Sequence, residues 1–445
     1  MSTRTEKQIA SGAALYEKAK RLIPGGVHLL SKSPERLLPE QWPVYFSRAK
    51  GCHVWDLDEQ RYTDMLAGGG GSCLLGVADP DVDAAVKQVI SKGSMATLNP
   101  PEEVELAELL CDIHPWAGMA RFTRSGGEAD AVAVRIARAY TGRDLIAFCG
   151  YHGWHDWYIA ANLAGEDNLD GHLLRGLKAA GVPQALAGTI LPFRFNHIED
   201  LDHIEARHGN EIGTIIMEPM RFEEPKDEFL EKVRDVADRL GAVLIFDEIS
   251  IGWRHCLGGL HLQLNVDPDI VVYGKVISNG FPMGAVVGRE GVMQAAQDAF
   301  ISSTYFTDRI GPAAALATIQ KMREADVWQT VRSAGQRIQE AWSAAGDANN
   351  LNVQVAGRPG FCSLAFDYGD DSDLIRSLYT QEMLDRKYLA GAYFYPSLAH
   401  DDKVIDAFLR ALDRVFATLA DAVREGDAAS RLRGPAAASD FRRLT

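Results

Sequence analysis

The chain has 445 residues, 47% hydrophobic and 24% charged, ordinary globular material with room for about two to three domains. Acidic residues outnumber basic ones by 61 to 46, and the net charge of −15 argues against nucleic acid or an anionic membrane as partner. No run approaches the roughly 20 apolar residues of a membrane span. The N-terminus Met1-Ser-Thr-Arg-Thr-Glu-Lys-Gln has no signal-like apolar core, and six scattered cysteines without a CxxC pair point away from disulfides or zinc and toward a reducing cytoplasm.

Residues 11–23 space their apolar positions near the helical period, and Pro24-Gly-Gly26 ends that helix. After an irregular stretch with Pro34, Pro39 and Pro43, the segments Val44–Phe46, His53–Asp58 and Arg61–Met65 read as short strands of a small N-terminal part. Ala67-Gly-Gly-Gly-Gly-Ser72 is a tight loop without side chains, which either leaves room for something bulky or serves backbone geometry alone. Asp79 caps a helix through about residue 93, and a second helix covers 102–113.

Ala120–Ala129 reads as a strand, a glycine turn and a helix start, the helix continuing through Ala139. Ser125, Gly126 and Gly127 then lie where backbone N–H groups cradle a phosphate, or where a serine simply caps a helix. The next strand, Asp144–Cys149, runs into Tyr151-His-Gly-Trp-His-Asp-Trp-Tyr158, which offers aromatics to stack on a planar ring. His152, His155 and Asp156 match no standard metal spacing, so no metal is expected. Residues 162–188 read as a long loop. Gly213–Met220 is a strand carrying Glu218-Pro219, and Lys226–Leu240 is an amphipathic helix.

Ala242–Ser250 is a continuous apolar run ending in Asp247 and Glu248, as suits a strand buried on both faces of a parallel sheet. Asp247 falls at its carboxyl end, where open α/β sheets bind ligands. Val271–Gly274 is another short strand, with Lys275 just past it on a turn. An acid and a lysine converging there make either an ion pair at strand ends or the chemistry of pyridoxal phosphate. In the second case the lysine forms a Schiff base and the acid keeps the pyridine nitrogen protonated. Met283–Gly288 closes the sheet, and Phe300–Thr307 is a hydroxyl-rich turn before helices at 311–323 and 325–345. Residues 352–430 alternate strand and helix, and the tail 431–445 is polar and expected to be loose. The β-α-β alternation implies a parallel sheet with right-handed crossovers.

Taken in order, Ser125-Gly-Gly-Glu-Ala129, Tyr151-His-Gly153, Glu218-Pro219, Asp247-Glu248 and Gly274-Lys275 resemble the class III aminotransferases over nearly the whole chain. The resemblance implies an α/β fold of fold-type I, a mostly parallel central sheet flanked by helices, with a smaller α+β domain from both chain ends. It implies a small domain begun by residues 1–70, a large cofactor domain at 71–325, the rest of the small domain at 326–430, and a tail. It makes Lys275 the Schiff-base lysine and Asp247 the pyridinium partner. Ser125, Gly126 and Gly127 bind the phosphate, Tyr151 stacks on the ring, and His152 and Glu218 join the cofactor set. Ser303 and Thr304 resemble residues that reach the phosphate of a neighbouring subunit, so a homodimer with shared sites is expected.

Ile23-Pro-Gly-Gly26 and Gly258-Gly259 are similar to the glutamate-1-semialdehyde aminomutase branch. The chain departs from the pattern where the usual Ser-Gly-Thr-Glu is Ser-Gly-Gly-Glu, so one phosphate hydroxyl is missing. It departs again after Gly26, where Val-His-Leu-Leu-Ser-Lys-Ser replaces the stretch with a carboxylate-binding arginine. In these places it resembles gentamicin-type aminoglycoside 6′-aminotransferases and epimerase. The expected substrate is an amino sugar or other small amine, with an amino acid as amino donor. Epimerisation and aminomutase chemistry are the alternatives.

Overall fold

The computed structural model describes residues 12–172 and 175–439. The chain divides into two compact units: the larger takes Gly71–Leu75 and Asp79–Arg332, and the smaller takes the chain up to Gly70, Gly76–Ala78 and Ser333 onward. In chain order the strands β1 (Phe46–Lys50), β2 (His53–Asp56) and β3 (Arg61–Met65) begin the smaller unit. The larger unit holds β4 (Met119–Thr123), β5 (Leu145–Cys149), β6 (Ile190–Pro192), β7 (Ile212–Met217), β8 (Val243–Asp247), β9 (Ile270–Tyr273) and β10 (Gly284–Gly288). The smaller unit resumes with β11 (Val353–Ala356), β12 (Cys362–Phe366), β13 (Tyr388–Ala390) and β14 (Tyr393–Phe394).

The large sheet has the order β4-β10-β9-β8-β7-β5-β6. Strands β6, β5, β7, β8 and β9 run parallel, and β10 is antiparallel to both β9 and β4. Strands β7, β8, β9 and β10 are buried at every position, which accounts for their predominantly apolar sequences. The helix Gly126–Thr141 covers the sheet with Ala129, Val132, Ala133, Ile136 and Ala137, small and branched residues at helical spacing. This arrangement places the carboxyl ends of β4, β5, β7, β8 and β9 along one edge. The turns that leave Thr123, Cys149, Met217, Asp247 and Tyr273 therefore start there together, and each carries one motif from the sequence.

Two elements escape a periodicity reading. Strand β6 is only three residues long at the sheet edge, too short to show alternation, and the helix Ile198–His208 buries little besides Leu201. The stretch expected as a long loop contains the single helical turn Ala161–Ala164 and the tight turns Asp170–His172 and Gln184–Leu186. The glycine loop is a left-handed turn, with φ of 63° at Gly69, 73° at Gly70 and 82° at Gly71, so backbone geometry by itself demands glycine.

In the smaller unit, β13 pairs in parallel with β3 beside the antiparallel β1-β2-β3 ribbon, which joins segments from both chain ends. The helix Asp402–Glu425 buries Ile405, Phe408, Leu412, Val415, Phe416 and Leu419 along one stripe. The tail is packed as far as it is described. Ala437 and Ala438 are buried, Arg433 forks onto Asp385 at 2.8 and 2.7 Å, and Ala438 N–H donates to the Glu35 carbonyl. Its polar composition conceals this because the anchors are ion pairs and hydrogen bonds rather than an apolar stripe. Residues 440–445 lie outside the described chain.

Candidate active site

The turn after β8 supplies Asp247, only 3% exposed. Its Oδ1 accepts from the Ile249 N–H at 3.0 Å, and its Oδ2 lies 2.8 Å from Nδ1 of the fully buried His152. The other nitrogen of His152 faces the Cys149 carbonyl at 3.2 Å. A carbonyl can only accept, so Nε2 is the donor in any hydrogen bond there. Asp130, in the first turns of the helix Gly126–Thr141, is buried beside them, its carboxyl within 4.8 Å of both groups. Its Oδ1 finds no hydrogen-bond partner among the described residues. Burial, then the charges of Asp247 and Glu218, push this carboxyl well above the usual range.

Lys275 follows β9 with φ of 44°, in the left-handed region that costs a non-glycine residue about 1 kcal/mol or more. Its Nζ lies 2.6 Å from Ser250 Oγ. Ser250 Oγ also accepts from Arg221 at 3.2 Å, and Arg254 donates to the Ser250 carbonyl at 2.7 Å and to the Gly71 carbonyl. Burial, and then the neighbouring Arg221 and Arg254 cations, pull the lysine down to about 8, against the opposing pull of Asp247 and Glu218. Among the described residues Lys275 forms no direct ion pair, so its amine does not collapse onto Asp247.

Glu218, at the end of the β7 turn, accepts from the Tyr151 N–H at 3.0 Å and pairs with Arg221 at 3.1 Å. It holds the backbone of the aromatic loop, and burial pushes its carboxyl up. Gly150 has φ of 111°, and a Cβ there would meet Glu218 Oε2 at 2.7 Å, so only glycine permits this contact. Tyr151 meets Tyr158 edge to face at 6.1 Å, and the Tyr158 hydroxyl donates to the Gly150 carbonyl.

Ser125 sits at the N-cap of the helix Gly126–Thr141, yet its hydroxyl makes no cap bond. The first N–H groups of a helix lack internal acceptors, so this end faces an anion with free donors. A Cβ on Gly126 would lie 2.9 Å from Ile249, so the turn must come this close to β8 without a side chain. The structure thus brings Ser125, Gly126, Gly127, Tyr151, His152, Glu218, Asp247 and Lys275 to one edge of the sheet. Ser303 and Thr304 stand apart: both are exposed, and neither hydroxyl bonds to the 125–127 turn among the described residues. Their turn is tied to it indirectly, because Arg124 donates to the carbonyls of Phe306 and Asp308 at 3.0 and 2.5 Å.

Sequence reasoning missed Asp130, Arg221, Ser250 and Arg254. Arg221, Ser250 and Arg254 lie just past the motifs, on turns whose direction the spacing does not reveal. A buried acid inside an alanine-rich helix was the one legible signal, at Asp130.

The class III aminotransferase family model matches residues 39–416. The chain is 31% identical over 382 residues to the 3-aminobutyryl-CoA aminotransferase of Cloacimonas acidaminovorans, covering 84% of this chain and 87% of that one. It is 36% identical over 351 residues to the glutamate-1-semialdehyde 2,1-aminomutase of Aeropyrum pernix, covering 77% and 79%. Among solved structures, the pyridoxal-phosphate internal aldimine form of the FumI protein of a Sphingopyxis species superposes with a TM-score of 0.83 at 26% identity, covering 93% of this chain and 97% of that one. An omega-transaminase from Sphaerobacter thermophilus superposes with a TM-score of 0.81 at 26% identity, covering 93% and 99%. The chain belongs to the class III aminotransferases, pyridoxal-phosphate enzymes of fold-type I.

Proposed function

We propose that this aminotransferase moves an amino group between an amino-acid donor and a sugar-like amine or aldehyde, such as the 6′ position of an aminoglycoside. One observation carries the reading: the guanidinium groups beside Lys275, those of Arg221 and Arg254, donate to the protein's own Glu218, Ser250 and Gly71. These bonds engage Nη2 of Arg221 and Nε and Nη2 of Arg254 with protein oxygens, which disfavours those atoms as a dedicated substrate carboxylate clamp. The net charge of −15 favours a cationic substrate. Six free cysteines suit a cytoplasmic setting.

The residues fit the cofactor by their chemistry: a helix N-terminus with an unused serine hydroxyl, a depressed lysine, and a carboxylate backed by a histidine. Pyridoxal phosphate, when bound, supplies the electron sink for cleaving the bond to hydrogen at the amine-bearing carbon. Lys275 Nζ is the amine for its aldehyde carbon and, once released, the base that carries the substrate's proton. Asp247 holds the proton of the pyridine nitrogen, and His152 fixes that carboxylate from behind. Tyr151, set by Glu218 through its N–H, faces the ring. Ser125, Gly126 and Gly127 hold the phosphate.

A homodimer is part of the proposal. Leu98, Phe300 and Tyr305 are 83%, 87% and 66% exposed, and Arg309 ties their two stretches together through the Ser94 carbonyl and Glu102. A second copy would cover these apolar groups, with its Ser303 and Thr304 completing the phosphate site.

The test is to mix the yellow holoenzyme separately with aminoglycosides and amino acids and follow loss of the visible band. Conversion by amino acids alone, with no aminoglycoside reacting, overturns the substrate reading. The likeness to glutamate-1-semialdehyde aminomutases favours a second reading, an aminomutase, and turnover of that semialdehyde without an added donor would establish it. Deuterium uptake with inversion and no keto product would instead identify an epimerase.

A further inference from the structure

Residue 127 has no side chain, although it lies in the helix turn that faces the phosphate. The space a side chain would need is already occupied. A Cβ on Gly127 would lie 3.2 Å from His155 Nδ1 and 3.4 Å from its Cε1. The backbones of the two loops also touch, because a Cβ on Gly153, whose φ is 92°, would lie 3.0 Å from the Gly127 Cα. Glycine at 153 allows that approach, and the approach delivers the imidazole to the turn.

The ring is held in place. The His155 carbonyl accepts from the N–H groups of Tyr158 and Ile159 at 2.9 and 3.1 Å, which fixes its backbone. Trp154 stacks on the imidazole at 4.4 Å with an interplanar angle of 24°. Yet Nδ1 is buried and has no hydrogen-bond partner among the described residues. A buried ring nitrogen without a partner is destabilising unless a ligand satisfies it.

We propose that His155 is a phosphate-binding residue of the cofactor site, its Nδ1–H donating in the place that a hydroxyl at position 127 would otherwise fill. A neutral imidazole suffices, since the Nδ1–H tautomer donates one hydrogen bond and an anion selects that tautomer. The charged groups facing the ring are Glu128 and Asp156, both of which favour its protonation against the effect of burial. The glycine at 127 and the histidine at 155 are therefore one exchange, a side-chain donor moved from the helix to the neighbouring loop. The inference rests on the cofactor and not on the substrate proposed above, so either can fail without the other.

The experiment measures the dissociation constants of pyridoxal phosphate and of pyridoxal, which lacks the phosphate, for cofactor-free protein. His155→Ala should weaken the phosphate ester about tenfold, the loss of one hydrogen bond to a charged group, and leave pyridoxal unchanged. His155→Asn, which keeps an N–H donor near the Nδ1 position, should stay within about threefold of the parent protein. Gly127→Thr combined with His155→Ala should regain affinity for the ester over His155→Ala alone. Equal weakening toward ester and pyridoxal, or no weakening at all, overturns the proposal. Failure of both the asparagine and the threonine variants to restore binding does so as well, because it removes the donor as the cause.

Discussion

Raising the pH over cofactor-free protein should switch on its covalent capture of pyridoxal phosphate near pH 8. Only the neutral amine of Lys275 can attack the aldehyde, and burial with Arg221 and Arg254 nearby brings that amine down to about 8. About one molecule in ten then has a free amine at pH 7, against about one in three thousand for a lysine at its ordinary value. The capture rate, followed by stopped-flow absorbance between pH 7 and 10, should rise about fivefold over the first unit and level off above about 9 at about tenfold its value at pH 7. Arg221→Met removes one of the two neighbouring cations and leaves the Glu218 carboxyl without that partner, and both changes favour the ammonium. Its midpoint should move to higher pH. A parent midpoint near 10, or a shift of the variant toward acid, would refute the reasoning.

Lys275→Ala should abolish turnover and the visible absorbance of lysine-bound cofactor, and an unchanged spectrum would remove the lysine from its assigned role. Asp247→Asn should lower turnover by about 100-fold or more while the fold persists by circular dichroism, because the amide cannot hold the ring proton as a carboxylate does. Gly150→Ala should cost about 1–3 kcal/mol in urea unfolding, since its Cβ meets Glu218 Oε2 at 2.7 Å where φ is 111°; a neutral result would show that the loop relaxes freely. The unfolded chain holds the Lys275 proton to higher pH than the folded one, so cofactor-free protein should gain stability between about pH 8 and 10.5. Asp130 works in the opposite sense. Its raised carboxyl costs stability as pH climbs above the ordinary carboxylate value, and Asp130→Asn should raise the melting temperature at neutral pH.

Much of the larger unit was legible in the residues. Strands β7, β8 and β9 are buried on both faces, so their sequences are predominantly apolar, and their carboxyl ends are marked by Glu218, Asp247 and Lys275. Such signals survive in one dimension because strand burial and strand ends are local properties. The short strand β6 and the packed stretch Arg431–Ser439 were not legible, because each is held by partners distant in sequence: β5 for the one, Asp385, Ser377 and Glu35 for the other. The site divides the same way. Spacing singled out Lys275 and Asp247 as converging groups and the family resemblance gave them their expected roles, whereas only the folded chain brings Ser250 onto the Lys275 amine, Asp130 against Asp247, and the His155 ring into the gap left by Gly127. Those meetings join turns from different strands, and the side-chain directions that produce them follow from sheet order and register, which no local pattern encodes.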